Sequence, residues 1–239
     1  MKIYYIYHSC FVVETESSFL IFDYFKNKED SKGDFDFMEL LDNITNSIKT
    51  LYVFSSHGHN DHFNSKIFSW QKKKENTYYI ISSDIKLYSR PDNVYTAKKN
   101  EEFFINNLKI YTFGSTDEGI SFMVHLDDLI IFHAGDLNWW KWMDDTPEEE
   151  KEMENAFKGI IKDILVKDVI IDAAFSPVDG RLEDNYLSGG QYFIENIKPK
   201  IFIPMHFWDN FKLTSDFKKS QCDSSTMVLE IKHNNETLM

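Results

Sequence analysis

Residues 54–63 read FSSHGHNDHF, and they place three of the eight histidines of the chain, with one aspartate, in a six-residue span. A helix would distribute these side chains around its axis, and a strand would alternate them between two faces. The preceding run LYVFSS is apolar and typical of a buried strand. We therefore predict a strand that runs into a loop, and a loop that turns the four side chains toward one point.

The spacing of this loop is H-x-H-x-D-H, formed by His57, His59, Asp61 and His62. Imidazole nitrogens and a carboxylate are the ligands that a borderline cation such as zinc prefers. Gly58 lets the backbone bend sharply where two imidazoles must converge. The pattern predicts a metal site rather than a solvated polar loop.

Two further apolar runs end in residues of the same chemical type. DLIIFHAGD leads into His133 and Asp136, and KIFIPMHF leads into His206. Loops that follow strands carry functional side chains on a rigid scaffold, so the three strand ends favour a single site at one edge of the sheets. Asp136 could instead be a turn carboxylate, and His206 could be a packed core histidine.

Composition limits the partners of the protein. The 239 residues carry a formal charge of −13, and Arg90 and Arg181 are the only arginines, so we expect neither nucleic acid nor an anionic membrane as a partner. No run approaches the ~20 apolar residues of a membrane span, and we expect no signal peptide. Cys10 and Cys222 are too few for a disulfide framework, which favours the cytoplasm.

Apolar and β-branched runs separated by polar turns predict a strand-rich chain. Several runs are apolar over four or more residues, as in strands buried on both faces, and LDDL at 126–129 is typical of a hairpin turn. Strands and a helix are followed by strands and helices again, which suggests two packed sheets with helices outside. We assign residues 1–239 to a single domain.

The clearest helix begins at a capping box. Thr146 precedes Pro147 at the first helical position, and Glu149 follows three residues after Thr146. The pattern predicts a helix to about Leu165 with one apolar face. Two more helices are predicted, near residues 64–74 and 189–197.

The H-x-H-x-D-H loop with a later Asp136 and a later His206 resembles the metallo-β-lactamase superfamily, and the resemblance covers nearly the whole chain. The HSCF start and the STDEG, HAGDLNWW and IPMHF segments look like the branch of hydrolases related to ascorbate-6-phosphate lactonase. The resemblance implies an α+β fold, a four-layer αβ/βα sandwich, with the active site at one edge. It also implies that Asp23, at the end of SFLIFD, supports the histidine loop.

The resemblance further implies one or two metal ions held by histidines and aspartates: His57 and His59 on the first metal, Asp61, His62 and His206 on the second, and Asp136 as the bridge. Zinc is the expected metal. Manganese and iron stay open, because imidazole and carboxylate ligands accept all three.

One position departs from the superfamily pattern. A further histidine is expected between the loop and the bridging aspartate, and the chain has Ser115 there, within TFGSTDEG. Ser115, Thr116, Asp117 or Glu118 could supply an oxygen ligand in its place, or the first metal could be weak or absent.

These features predict a hydrolase in which a metal-bound hydroxide attacks a small ester, lactone or phosphoester. Asp61 either ligates the metal or orients the nucleophile, and His8 and His133 are candidate proton donors or partners of a ligand. Either histidine could instead be structural, packed in a strand or bonded in a turn. The alternatives are a catalytically silent metal-binding or ligand-sensing module and a phosphodiesterase or nuclease relative, which the negative charge disfavours.

Four tryptophans lie close after the candidate ligands in sequence: Trp139, Trp140, Trp142 and Trp208. They could line an apolar pocket for a small-molecule substrate, or form a lid or a subunit contact in a homo-oligomer. In the turn SPVDGRL, Asp179 and Arg181 could border the same edge or simply form a salt bridge.

Overall fold

The computed structural model describes residues 1–26, 33–87 and 91–239. They form two compact units: the first unit comprises Met1–Ala97 with Ile231–Met239, and the second unit comprises Lys98–Glu230. Each unit contains one seven-stranded sheet. The assignment of the whole chain to a single domain stays a prediction.

The sheet of the first unit has the strand order β14-β1-β2-β3-β4-β5-β6. Its strands are β1 (Lys2–Tyr7), β2 (Cys10–Glu14), β3 (Ser18–Phe22), β4 (Thr50–Ser55), β5 (Thr77–Ser82), β6 (Val94–Ala97) and β14 (Glu236–Thr237). Neighbouring strands from β3 to β6 are parallel, and the others are antiparallel. The carboxyl ends of β3, β4 and β5 therefore lie at one edge of this sheet.

Helix α1 (Phe37–Asn46) and a 3₁₀ helix (Ser65–Lys72) complete the first unit. The Asp36 side chain caps α1 by accepting the backbone N–H groups of its first turn. Phe37, Leu41 and Ile44 are buried in a core cluster with side chains of β2, β3, β4 and β5. The i, i+4 and i+7 spacing of these three residues gives α1 its apolar face.

The second unit repeats the same plan, with the strand order β13-β12-β11-β10-β9-β8-β7. Its strands are β7 (Glu102–Ile105), β8 (Leu108–Phe113), β9 (Ser121–Leu126), β10 (Leu129–His133), β11 (Ala173–Pro177), β12 (Ile201–Met205) and β13 (Met227–Val228). Strands from β10 to β13 pair in parallel, so β10, β11 and β12 end at one edge. The helices are α2 (Pro147–Leu165), α3 (Ser188–Ile197), α4 (Lys212–Ser220) and a 3₁₀ helix (Gly180–Asn185).

Several predicted elements are confirmed. Helix α2 starts with the expected capping box at Thr146 and ends at Leu165, and α3 covers the predicted 189–197 segment. The β9–β10 connection is the predicted hairpin: Asp127 and Asp128 have φ of 51° and 60°, the paired positive values of a type I′ turn.

Other elements differ from the prediction. The helix predicted near 64–74 is present at Ser65–Lys72, where it is a 3₁₀ helix. The run TMVLEIKH at 226–233 is one of the apolar and β-branched runs that predict strands, but it forms only the two-residue strand β13. Elements α1, α4, β6, β7 and β14 were not predicted. Within the described ranges, no helix has the length and apolar character needed to cross a membrane.

Replacing Thr146 by alanine is expected to lower the free energy of unfolding by about 1 kcal/mol, because the hydroxyl accepts the Glu149 N–H at the start of α2. Urea unfolding followed by circular dichroism measures the change. Thr146→Ser, which keeps the hydroxyl, is the matched control and should lose much less. Equal losses in the two variants would contradict the capping role.

Candidate metal centre

The loop after β4 closes on itself through its backbone. The N–H groups of His62 and Phe63 both donate to the carbonyl oxygen of His59, at 3.1 Å. Ligand atoms of His57, His59 and Asp61 lie within 4.8 Å of one another. His57 Nε2 and His59 Nδ1 are 3.1 Å apart. Two nitrogens that bind one zinc tetrahedrally at ~2.0–2.1 Å lie about 3.3 Å apart, so this spacing fits a shared metal ion.

Asp23, directly after β3, anchors the loop. Its Oδ1 accepts the Ser56 N–H at 2.7 Å, and its Oδ2 accepts the Ser56 hydroxyl at 2.7 Å. The same Oδ2 lies 2.8 Å from His62 Nδ1. Asp23, Ser56 and His62 are fully buried. A buried carboxylate is stable only when it is hydrogen-bonded, so Asp23 and the loop position each other.

These hydrogen bonds assign the tautomers of two histidines. A carboxylate accepts only, so His62 Nδ1 carries the proton and Nε2 is left with a lone pair for a metal. The Ser56 hydroxyl donates to Asp23, so in its 3.0 Å contact with His57 Nδ1 it accepts. His57 Nε2, the atom near His59, is thereby also left with a lone pair.

His8 joins this group from the turn between β1 and β2. Its ring is fully buried, and its Nε2 lies 3.6 Å from Asp61 Oδ2. Burial raises the pKa of Asp61, but the contact with His8 and the charges of His62 and His8 outweigh burial and hold the pKa well below its usual value. Asp61 is therefore an ionised carboxylate, suited to a cation or to a hydrogen-bond donor.

A second carboxylate supports the loop from the next strand. Asp84 follows β5, and its Oδ2 accepts the Gly58 N–H at 2.7 Å. This contact was not predicted from the sequence. The signal was present, because ISSD ends a buried strand with an aspartate as SFLIFD does at Asp23.

In the second unit, Asp136 follows β10 and His206 follows β12. His206 Nε2 lies 3.4 Å from Asp136 Oδ1, again a spacing that fits two ligands of one ion. His206 Nδ1 lies 2.8 Å from Asp179 Oδ2, which assigns the proton to Nδ1 and the lone pair to Nε2. All three side chains are buried.

Asp179 forms a salt bridge with Arg181 in the turn after β11 and also accepts a hydrogen bond from His206. Arg181 donates to it through Nε and Nη2, at 2.9 Å and 2.5 Å from Oδ2. Burial raises the pKa of Asp179, but the hydrogen bonds from His206 and Arg181 outweigh burial and lower the pKa to about 2. The two roles that the sequence left as alternatives are thus combined.

A small cavity of about 180 Å³ lies in this unit, lined by Thr116, Asp117, Trp140, Trp142, Met153 and Arg181. The Trp140 and Trp142 rings are nearly parallel, with centroids 5.9 Å apart, and Arg181 lies within 6 Å of both. Trp140 donates through Nε1 to the carbonyl oxygen of Asp136, and the ring centroids of Trp140 and His206 are 5.6 Å apart. The cavity therefore adjoins the candidate ligands of the second unit.

The other sequence candidates have these surroundings. Trp139 packs against Phe157 of α2 and Tyr192 of α3. The ring centroids of Trp208 and His206 are 6.5 Å apart. His133 is buried at the end of β10, where its Nδ1 accepts the Gly135 N–H at 3.2 Å. This bond shapes the turn that precedes Asp136.

No family model and no curated protein matches the sequence. Solved structures do resemble it. A metallo-hydrolase from the hyperthermophilic archaeon Ignicoccus hospitalis is 16% identical, with 99% of this chain and 96% of that chain covered and a TM-score of 0.66. A metallo-β-lactamase fold protein from Bacillus subtilis is 11% identical, with 98% and 97% covered and a TM-score of 0.60.

The chain has the metallo-β-lactamase fold. This confirms the α+β class and, at the level of the fold, the superfamily resemblance. The lactonase-related branch stays a prediction. A diiron β-hydroxylase from Streptomyces venezuelae is also similar, at 8% identity and a TM-score of 0.63, with 99% of this chain and 53% of that chain covered. Structures similar to this chain therefore include a hydroxylase as well as a metallo-hydrolase.

Replacing Asp23 by alanine is expected to destabilise the metal-free protein by about 3 kcal/mol, because buried donors left without an acceptor cost ~1–3 kcal/mol each. Urea unfolding in the presence of a chelator measures this. The control is Asp84→Ala, which removes one partly exposed hydrogen bond and should cost under ~1.5 kcal/mol. A similar small loss in both variants would show that Asp23 does not organise the loop.

Proposed function

We propose that the chain is a metal-dependent hydrolase that acts on a small ester, lactone or phosphoester. The observation that carries this proposal is the spacing of the ligand atoms in a chain with the metallo-β-lactamase fold. Pairs of ligand atoms lie 3.1 Å apart in the first unit, between His57 and His59, and 3.4 Å apart in the second, between Asp136 and His206. Two ligands of one metal ion have this separation.

The proposed metal ligands are those that the sequence resemblance implies: His57, His59, Asp61, His62, Asp136 and His206. Support comes from the chemistry of the donors. Hydrogen bonds to Asp23, Ser56 and Asp179 leave the Nε2 atoms of three of the histidines with lone pairs. We propose zinc as the metal, with manganese or iron as alternatives, because histidine and carboxylate ligands accept each of them.

A divalent cation held by these residues would supply Lewis acidity and would lower the pKa of a bound water molecule to about 7. The protein residues around it would hold and move protons. Asp61 stays ionised and can ligate the cation or orient a water molecule. His8, whose Nε2 lies 3.6 Å from Asp61, is our first candidate to donate a proton to the leaving group. His133 stays a second candidate for this role.

The cavity beside Asp136 and His206 is the proposed binding pocket for a small-molecule substrate. Trp140 and Trp142 offer flat apolar surfaces, and Arg181 offers a positive charge that Asp179 holds in place. A volume of about 180 Å³ suits part of a small molecule rather than a polymer. The cytoplasmic location expected from the sequence belongs to the same proposal.

Purified wild-type protein is expected to contain at least about one zinc, manganese or iron ion per chain, measured by inductively coupled plasma mass spectrometry. It should hydrolyse some members of a panel of chromogenic esters, lactones and phosphodiesters. His62→Gln should lower this activity by at least ~100-fold, because changes even to partners of a ligand cost 10–100-fold. The control is His125→Gln, a partly buried histidine that pairs with Ile130 next to the turn of the β9–β10 hairpin, and this variant should keep full activity.

Three results separate the alternatives. A normally folded wild-type protein that takes up no metal would refute the proposal. Metal binding without turnover of any substrate in the panel would favour a ligand-sensing module. Turnover limited to phosphodiesters would favour a phosphodiesterase or nuclease relative.

A further inference from the structure

We propose that Asp117 is a ligand of the metal that Asp136 binds and that it takes the place of the histidine expected at Ser115. This inference rests on the proposed function, since it assigns one more residue to the same metal. It concerns the loop of residues 114–120, which connects β8 to β9 within the second unit.

Thr116 fastens this loop beside Asp136. Its hydroxyl donates to the carbonyl oxygen of Asn138 at 2.5 Å and accepts the Asn138 N–H at 3.0 Å. Asn138 is buried two residues after Asp136, so the two bonds fix the position of the loop against the segment that carries Asp136. The Thr116 hydroxyl is used by this contact, which leaves it a poor candidate for a metal ligand.

The other three candidate residues of this loop differ in their position relative to Asp136. Ser115 accepts the Asp117 N–H through Oγ, at 3.2 Å, and so orients Asp117. A carboxylate oxygen of Asp117 lies within 4.8 Å of a carboxylate oxygen of Asp136. Among the described residues, Glu118 is in none of the groups of side chains close enough to hold a metal. Of the four residues that the sequence left open, Asp117 alone brings a charged oxygen to Asp136.

The separation of the Asp117 and Asp136 carboxylate oxygens is close to that of two ligands of one metal ion. Two oxygens bound to one ion at ~2.0–2.2 Å can lie up to about 4.4 Å apart, so a small rotation of Asp117 brings both onto one cation. The Asp117 side chain is exposed and can rotate, whereas Asp136 is buried and fixed. Two carboxylates this close repel each other, and a cation bound to both removes the repulsion.

A carboxylate in place of an imidazole changes the metal preference. Imidazole suits zinc and iron, whereas carboxylate oxygens suit harder ions such as manganese. We therefore expect the chain to bind Mn²⁺ more strongly, relative to Zn²⁺, than it would with the histidine of the superfamily pattern. Asp117→His restores the histidine ligand two residues after Ser115, and it should shift the preference toward Zn²⁺.

Calorimetric titration of metal-stripped protein with Zn²⁺ and Mn²⁺ tests this assignment. Asp117→Ala is expected to lose one binding equivalent or at least ~10-fold in affinity, as ligand-shell changes typically do. Asp117→His should bind Zn²⁺ and raise the ratio of Zn²⁺ to Mn²⁺ affinity. Glu118→Ala removes the same charge from the adjacent exposed residue and should titrate as the wild type. Thermal melting of each stripped variant confirms that it is folded, and Asp117→Asn replaces the alanine variant if that one is not.

The possible failures are distinguishable. Wild-type binding of both metals that is unchanged in Asp117→Ala would overturn the role of Asp117 and leave the proposed function standing. Equal losses in Asp117→Ala and Glu118→Ala would show a general charge effect and would also overturn it. A wild-type protein that binds neither metal would refute the proposed function together with this inference.

Discussion

The hydrogen bond from a buried imidazole to a buried aspartate is the interaction on which the candidate ligands of both units depend. In the first unit it joins His62 to Asp23, and in the second it joins His206 to Asp179, with 2.8 Å between the bonded atoms in each case. The bond fixes the ring orientation and places the proton on Nδ1, which leaves Nε2 for a metal. Each aspartate, in turn, is stable when buried only because N–H and O–H groups surround it.

The two sheets determine where the candidate ligand residues lie within each unit. In each unit, adjacent parallel strands end at the same edge, so residues far apart in sequence follow neighbouring strands. The backbone turns sharply after β3 and β12, where Asp23 and His206 have φ of 47° and 65°, and in the turn between β1 and β2, where His8 has φ of 57°; all three lie in the left-handed region. Such conformations cost of order 1–3 kcal/mol each and persist where the surrounding structure holds them, commonly at functional sites.

The sequence predicts the elements whose signal is local. Strands buried on both faces read as uninterrupted apolar runs, and the capping box of α2 is a contiguous pattern. Helix α4 was missed because its only fully buried side chains are Thr214 and Phe217, too few to show a period. Strand β14 was missed because it forms by pairing with β1, Glu236 with Tyr5 and Thr237 with Tyr4, and these residues are more than 230 positions apart in sequence.

The residues of the candidate site also fall into those with a local sequence signal and those without one. His57, His59, Asp61 and His62 are found from their spacing alone, since one loop carries them all. The supporting contacts cross between strands: Asp179 reaches His206, and Asp84 reaches Gly58, only after parallel pairing sets the register. The spacing of residues in the sequence indicates which side chains are candidate metal ligands. The fold shows which polar groups form hydrogen bonds to those side chains and to their loops.

The most direct test of the account is a crystal structure of the metal-loaded protein with anomalous diffraction measured at the zinc, iron and manganese edges. The account predicts that the Nε2 atom of His62 and the Nε2 atom of His206 each lie ~2.0–2.2 Å from an anomalous peak, while their Nδ1 atoms remain bonded to Asp23 and Asp179. Anomalous peaks located only at other residues, or none after loading, would contradict it.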